Sequence, residues 1–301
     1  MNLLELTAAN KSFSSEEPGL QLVWDSTSLG LLKDCPWKYY LTMIEGWHDK
    51  HSAVPLQFGI AYHEALESYS RVLATCGDIQ EATRFAVRTA LRWSHTLSTS
   101  EDTKRTVKTL VRAVVWYIEE YRHDTVQTKI LAGGNPAVEL TFRFAVDERF
   151  LLAGHLDRVV YFNDQPWILD YKTTAGQADS RYFSRYSPDN QISMYSLAAK
   201  VVFGFPVAGV VVDACELAVG FNRYVRGTAS RTAAQLDEWL DDTMFWLEQA
   251  EMYARRQHWP MNDKHCFLCT FKDICSKDPS VRQTFIQSGF ERRIWDPSVP
   301  R

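Results

Sequence analysis

No stretch of the 301 residues is long and apolar enough to span a bilayer. The opening residues, MNLLELTAANKSF, lack the basic start and long apolar core of a secretory signal. Positive charge is not in excess either: the formal net charge is −4, which argues against a generally basic nucleic-acid binder and leaves any DNA contact to a local patch. Internal repeats, low-complexity segments and helicase motifs are missing. These absences lead us to expect an intracellular protein with reduced thiols. What is present is a large potential core: 46% hydrophobic residues, 13% aromatics and ten tryptophans suit one elaborated domain or two.

Taken in order, residues 1–20 show no periodicity and read as an irregular arm. Asp25-Ser26-Thr27-Ser28 offers N-cap chemistry to the helix that follows, and Pro36 ends or kinks that helix beside Cys35. Phe58 to Leu73, Glu81 to Thr96 and Thr106 to Arg122 carry helical periodicity, closed by Gly133-Gly134-Asn135-Pro136. A strand is expected over 137–146 and a hairpin over 151–171. A helix then covers 190–202, strands cover 207–219 and 221–228, and a long amphipathic helix covers 232–257, with Arg255-Arg256 at its C-terminal end as the helix dipole favours. The result is an α/β core with a helical insertion. We divide it into 1–57, a helical region 58–135, a core 136–231 and a C-terminal part 232–301.

The hairpin is GHLDRVVYFNDQPWILDYKTT, Gly154 to Thr174. With Asp164-Gln165 as its loop, Asp157 faces Lys172 and Val159 faces Asp170 across the strands. Any even loop puts Asp157, Asp170 and Lys172 on one face, and any odd loop turns Asp157 away. Two carboxylates on one rigid face repel unless a cation sits between them, and a hard divalent ion with oxygen ligands is the usual answer. A lysine beside such an ion orients or activates a water for attack on a phosphate.

Six cysteines occur, and three form HCFLCTFKDIC, a C-x2-C-x5-C cluster. In a reducing compartment this spacing points to a metal site rather than disulfides. Cys35 is the best fourth ligand, because Cys76 falls in a turn between helices and Cys215 in a buried strand; His265 is the alternative in a zinc site. Spacing does not separate iron from zinc.

Cys35 in C-P-x-x-Y-Y, Cys266, Cys269 and Cys275 near the C-terminus, and G-H-x-D followed by D-Y-K between them resemble the iron-sulfur branch of the RecB-like PD-(D/E)XK nucleases. That group includes the AddB nuclease domain, the CRISPR adaptation nucleases and related phage exonucleases. The resemblance runs from Cys35 to Cys275. It implies a restriction-endonuclease-like core sheet flanked by helices, with an iron-sulfur domain joining the N- and C-terminal segments. It implies a 4Fe-4S cluster on Cys35, Cys266, Cys269 and Cys275, and Mg2+ or Mn2+ on His63, Asp157 and Asp170. Lys172 matches the catalytic lysine, while Gln191 and Tyr195 match the Q-x3-Y motif. Glu139 is a candidate for a further acid near the site.

The implied activity is metal-dependent DNA hydrolysis, preferably by an exonuclease acting on single strands or free ends. A helicase, annealing or integration protein would be its partner in recombination, replication or repair. The alternative is an inactive or zinc-stapled DNA-binding protein of the same fold. Arg181, Tyr182, Arg185 and Tyr186 interleave cations with rings and are candidates for strand binding, with Arg223, Arg226 and Arg231 further candidates for the same groove.

Overall fold

The computed structural model describes residues 11–50, 54–98, 102–293 and 295–296, so the first half of the expected N-terminal arm lies outside the described residues. Strand β1 (Val23–Trp24) leads into helix α1 (Ser26–Asp34). The helix begins through a capping box: Ser28 N donates to Asp25 Oδ1 at 2.8 Å, and Asp25 N donates back to Ser28 Oγ at 3.1 Å. It ends before Pro36, which leaves Cys35 extended and opens a short second turn, Pro36–Tyr39. Strand β2 (Trp47–Asp49) follows, and then the long helices α2 (Val54–Cys76), α3 (Ile79–Arg92) and α4 (Val107–Glu120), with a single turn, Ser94–Ser98, between the last two. Asp78 and Thr106 cap the second and third.

Next come β3 (Gln127–Thr128), β4 (Val138–Ala145), β5 (Leu151–Phe162) and β6 (Gln165–Thr174). Helices α5 (Ser180–Ser184) and α6 (Asn190–Val201) lead to β7 (Val210–Leu217) and β8 (Asn222–Ala229). The chain finishes with α7 (Ala233–Arg256), α8 (Pro279–Gly289) and β9 (Phe290–Arg292). Among the described residues no helix is long and apolar enough to cross a membrane.

The chain divides into two compact units. One is built from Ala53–Thr141 and His155–Arg231, the other from Met1–Ser52, Phe142–Gly154 and Thr232–Arg301. The helical stretch and most of the core stretch share one unit, and both chain ends share the other.

In the first of these, β6 is the hub of a mixed sheet, antiparallel to β5 and parallel to β7, with β8 antiparallel beyond β7. The hairpin turn is Asn163-Asp164, with φ of +50° and +59°. Asn and Asp tolerate this left-handed conformation, and a two-residue turn of this kind matches the twist of the paired strands. The register therefore differs from the expected one. Val159 faces Ile168 and Arg158 faces Leu169, while Pro166 pairs with Tyr161 inside β6 instead of belonging to the turn. Continued by one residue, this register sets Asp157 opposite Asp170. The loop stays even, so the expected common face survives the shift.

One face of the sheet is covered by α2, α3 and α4. Phe58, Tyr62 and Leu66 of α2, the alanine stripe Ala82, Ala86 and Ala90 of α3, and Leu110, Val114 and Tyr117 of α4 form one core with Leu169, Tyr171 and Val211. Each buried large side chain there contributes roughly 1.5–3 kcal/mol. Small residues on α3 let the helices approach closely. The opposite face carries Asp170 and Lys172 and receives α5, where the Phe183 ring lies flat on Gly227 of β8. A Cβ at Gly227 would come within 2.2 Å of that ring, so only glycine fits.

In the other unit, β1 runs parallel to the start of β5 through Val23–Leu151 and Trp24–Leu152. The two chain ends meet in the antiparallel pair β2–β9. Gly46, at φ +72°, permits this approach, since a Cβ there would lie 2.7 Å from the Arg293 carbonyl oxygen. Leu41, Trp47, Phe271, Ile274, Ile286 and Phe290 form a small core, against which Cys269 and Cys275 pack. Trp259 stacks on Tyr40 with ring centroids 4.2 Å apart.

Candidate active site and cysteine cavity

β5 and β6 stop pairing at Arg158–Leu169. Past that point the Asp157 carboxylate accepts the Tyr171 backbone N–H at 2.9 Å, so an acid replaces a strand carbonyl where the strands part. His63, on α2, places Nδ1 3.1 Å from the same Asp157 oxygen. Asp170 is 1% exposed, and Lys172 Nζ lies 2.6 Å from its Oδ2. Among the described residues no donor other than the Lys172 ammonium reaches either Asp170 oxygen. Lys172 also donates to Gln191 Oε1 at 2.9 Å, and Gln191 Nε2 donates to the Tyr195 hydroxyl at 2.9 Å. Gln191 and Tyr195 stand one turn apart on α6, which Asp189 caps.

The electrostatics follow from burial and pairing. Burial opposes ionisation of both carboxylates, but His63 and Lys172 outweigh it at Asp157, whose pKa falls below the usual range. At Asp170, burial and the Asp157 charge outweigh Lys172 and push the pKa up. Burial alone would discharge Lys172 and His63, yet the two carboxylates overcome it and raise both pKa values. The corner is thus two acids in need of positive charge, partly answered by the Lys172 ammonium and the His63 ring.

Tyr171, between Asp170 and Lys172, points to the opposite face. Its ring meets His63 edge-on at 5.9 Å, and its hydroxyl lies 3.4 Å from Ser70 Oγ. It ties the strand to the helix that delivers His63. Sequence reasoning passed over this residue, although strand alternation alone carried the signal.

Glu139, at φ +50° within β4, comes 3.7 Å from His155 Nδ1, and His155 also meets Thr141 Oγ1 at 3.1 Å. His155 shares its strand face with Asp157. Glu139 therefore pairs with a neighbour of the two acids.

The strand-binding candidates separate by burial. Arg181 and Arg185 are exposed, whereas Tyr182 and Tyr186 are 6% and 8% exposed and pack inside. A base can reach the guanidinium groups here but not these rings. Arg223 sits on the Lys172 face, 3.5 Å from Glu216. Arg226 faces the other way and donates to Asp213 Oδ2 at 2.9 Å, so it does not belong to the groove. Arg231 holds Ser193, Ser187 and the Tyr186 carbonyl together.

In the other unit, Cys35, Cys266, Cys269 and Cys275 line a single cavity of about 170 Å³, together with Trp37, Lys38 and Phe271. Asn262 N donates to Cys35 Sγ at 3.4 Å, and its side chain donates to the Asp34 carbonyl at 2.8 Å. Burial, and then the neighbouring sulfurs of Cys269, Cys35 and Cys266, push the Cys275 thiol up to about 11. Among the described residues the buried Trp37 indole N–H has no acceptor. His265 stands instead 3.6 Å from Asp34, and Cys76 is exposed while Cys215 is buried on β7. Among the described residues no group of three or more His, Cys, Asp or Glu side chains is arranged to hold a metal ion as it stands.

The chain belongs to the PD-(D/E)XK nuclease superfamily, whose profile matches residues 26–276. A solved structure of an exonuclease candidate from Eubacterium rectale superposes with a TM-score of 0.52 at 14% identity, covering 84% of this chain and 88% of that one. At that identity the likeness speaks for the fold alone. The structure of SSO0001 gives a TM-score of 0.29 at 12% identity, covering 63% of this chain and 81% of that one, and carries no argument. No curated protein matches the chain.

Proposed function

We propose that the protein is a metal-dependent deoxyribonuclease acting as an exonuclease on single strands or free DNA ends. The observation that carries this reading is Asp170: a carboxylate buried to 1% exposure, opposite a second acid, with the Lys172 ammonium as its one close donor among the described residues. Such oxygens suit a hard cation, so the residues fit the Mg2+ or Mn2+ that the superfamily uses. Asp157, Asp170 and His63 would hold it. When bound, a divalent ion acidifies the attacking water and draws negative charge off the phosphate.

The chain's own residues do the rest. Lys172, fixed from two sides by Asp170 and Gln191, keeps a donor for the attacking water, and Tyr195 holds Gln191 in place. In-line attack leaves a 5'-phosphate and a 3'-hydroxyl. Arg181 and Arg185 meet strand phosphates, and the work fits processing of DNA ends in recombination, replication or repair beside a helicase, annealing or integration partner.

We further read the cysteine cavity as the seat of a 4Fe-4S cluster. Four thiols line one cavity, one sulfur already receives a backbone N–H, and the Trp37 N–H, without an acceptor among the described residues, supplies a further donor. The cluster would act as a staple between the chain ends, since a crosslink between distant positions restricts the unfolded chain.

The test is digestion of end-labelled single- and double-stranded DNA with Mg2+ or Mn2+, using Asp170→Ala and Lys172→Ala as controls. Equal cutting by wild type and both variants would falsify the catalytic assignment. For the cluster, anaerobic purification should give a brown protein with iron. Colourless protein with stoichiometric zinc would replace iron by zinc, and unchanged stability of cluster-free protein would remove the staple.

A further inference from the structure

Tyr182 and Tyr186 are buried hydroxyl-bearing side chains that the mechanism above leaves unused. Both rings pack edge-on at 5.8 Å, and the Tyr186 hydroxyl donates to the Tyr182 oxygen at 3.2 Å. The Tyr182 oxygen is thereby an acceptor with its own proton unspent, and no described residue accepts that proton. The segment is held from several sides. Asp179 caps α5 through Tyr182 N at 2.9 Å, Phe183 lies flush on Gly227, and Arg231 grips the Tyr186 carbonyl at 3.2 Å. Arg185, exposed, stacks on the Tyr182 ring at 4.6 Å. The segment lies on the sheet face that carries Asp170: Phe183, between the two tyrosines, packs on Gly227, which stands in the same cross-strand row as Asp170 through Val212.

A buried hydroxyl fixed in direction, with a free proton, on the face of the sheet that carries the two acids, is a preorganised donor for negative charge. Lys172 cannot accept the proton. A phosphate brought in by Arg185 can.

We propose that Tyr182 is a further catalytic residue, its hydroxyl donating to a non-bridging oxygen of the phosphate under attack, and that Tyr186 is the positioning residue that aims it. The role rests on the nuclease reading. Arg185 then couples strand binding to the donor, because its guanidinium rides on the ring that carries the hydroxyl.

The experiment is steady-state cleavage of an end-labelled oligonucleotide by the full chain in Mg2+ or Mn2+, with Tyr182→Phe and Tyr186→Phe. Both substitutions keep ring and packing and remove one oxygen. Tyr182→Phe is expected to lower kcat by about 10²-fold, the scale seen when one oxyanion donor is lost. KM should stay within about twofold, since the bond strengthens as charge develops. Tyr186→Phe should lower kcat by about tenfold, because the Tyr182 hydroxyl keeps its proton but loses its aim. Thermal melting of both variants should match wild type. Wild-type cleavage alongside a wild-type kcat for Tyr182→Phe overturns the donor alone, as does a fall in kcat that tracks loss of folded protein. A wild-type protein that leaves DNA intact with either metal overturns the nuclease reading and this role with it.

Discussion

Around Asp170 the charged side chains answer one another: His63 stands 3.1 Å from Asp157, and Lys172 stands 2.6 Å from Asp170 and bonds to Gln191. Around the four cysteines the partners are mainly backbone, as in the Asn262 N–H to Cys35 at 3.4 Å and the 3.7 Å contact of Cys266 Sγ with the Asn262 carbonyl. The first group is assembled by one hairpin and two helices inside one unit. The second is assembled by the two ends of the chain, already joined by β2–β9 and by the Trp259–Tyr40 stack. The hairpin corner holds its geometry by local chemistry, and the cysteine cavity holds its walls by packing. Damage to the first should therefore remove chemistry without unfolding, and damage to the second should do the reverse.

The largest effect expected is on the first side of this contrast. Asp170→Ala or Lys172→Ala should lower cleavage by about 10³-fold, with the melting temperature unchanged, as gel digestion and circular dichroism would show. A large loss of stability instead would mean that the corner is structural. Trp259→Ala tests the other side, since it empties a buried stack and should cost about 3–5 kcal/mol in chemical denaturation while the folded fraction keeps its kcat.

Cys275→Ser tests the proposed cluster separately from the packing. If the cluster is bound, we expect loss of iron absorbance and a drop in melting temperature of about 5 °C, smaller than for Trp259→Ala. A drop larger than that of Trp259→Ala would reverse the order of packing and cluster. The smallest effect belongs to the turn: Asp164→Gly, at φ +59°, should stabilise by about 0.5 kcal/mol and leave cleavage as it is.

Much of this contrast is legible in the sequence, and the failures have physical reasons. The alternation of Leu151 to Phe162 and the run into Asp170-Tyr171-Lys172 identify the strands, because half-buried strands repeat every two residues. Pro166 misplaces the turn, since proline usually breaks strands, and here it occupies a paired position without needing its missing N–H. Tyr182 and Tyr186 look like a stacking surface because composition does not distinguish rings inside from rings outside. Asp179 as a cap and the four-residue spacing of the tyrosines are the cues for a buried pair on a short helix and the turn after it. His63 is visible by motif, while its contact with Asp157 depends on where β5 and β6 part. Strands of two or three residues, such as β1, β2, β3 and β9, are too short to show any period.

The Asn163-Asp164 turn bears on how this chain can vary over time. Adding or removing two residues there slides β5 against β6 and leaves both acids facing the same way. A single-residue insertion or deletion would send Asp157 to the helix-covered side, into the company of Tyr171 and Leu169. Length changes at this tip should thus be accepted in pairs and rejected singly, so that the count of residues in an exposed turn, rather than their identity, is what selection for activity would police.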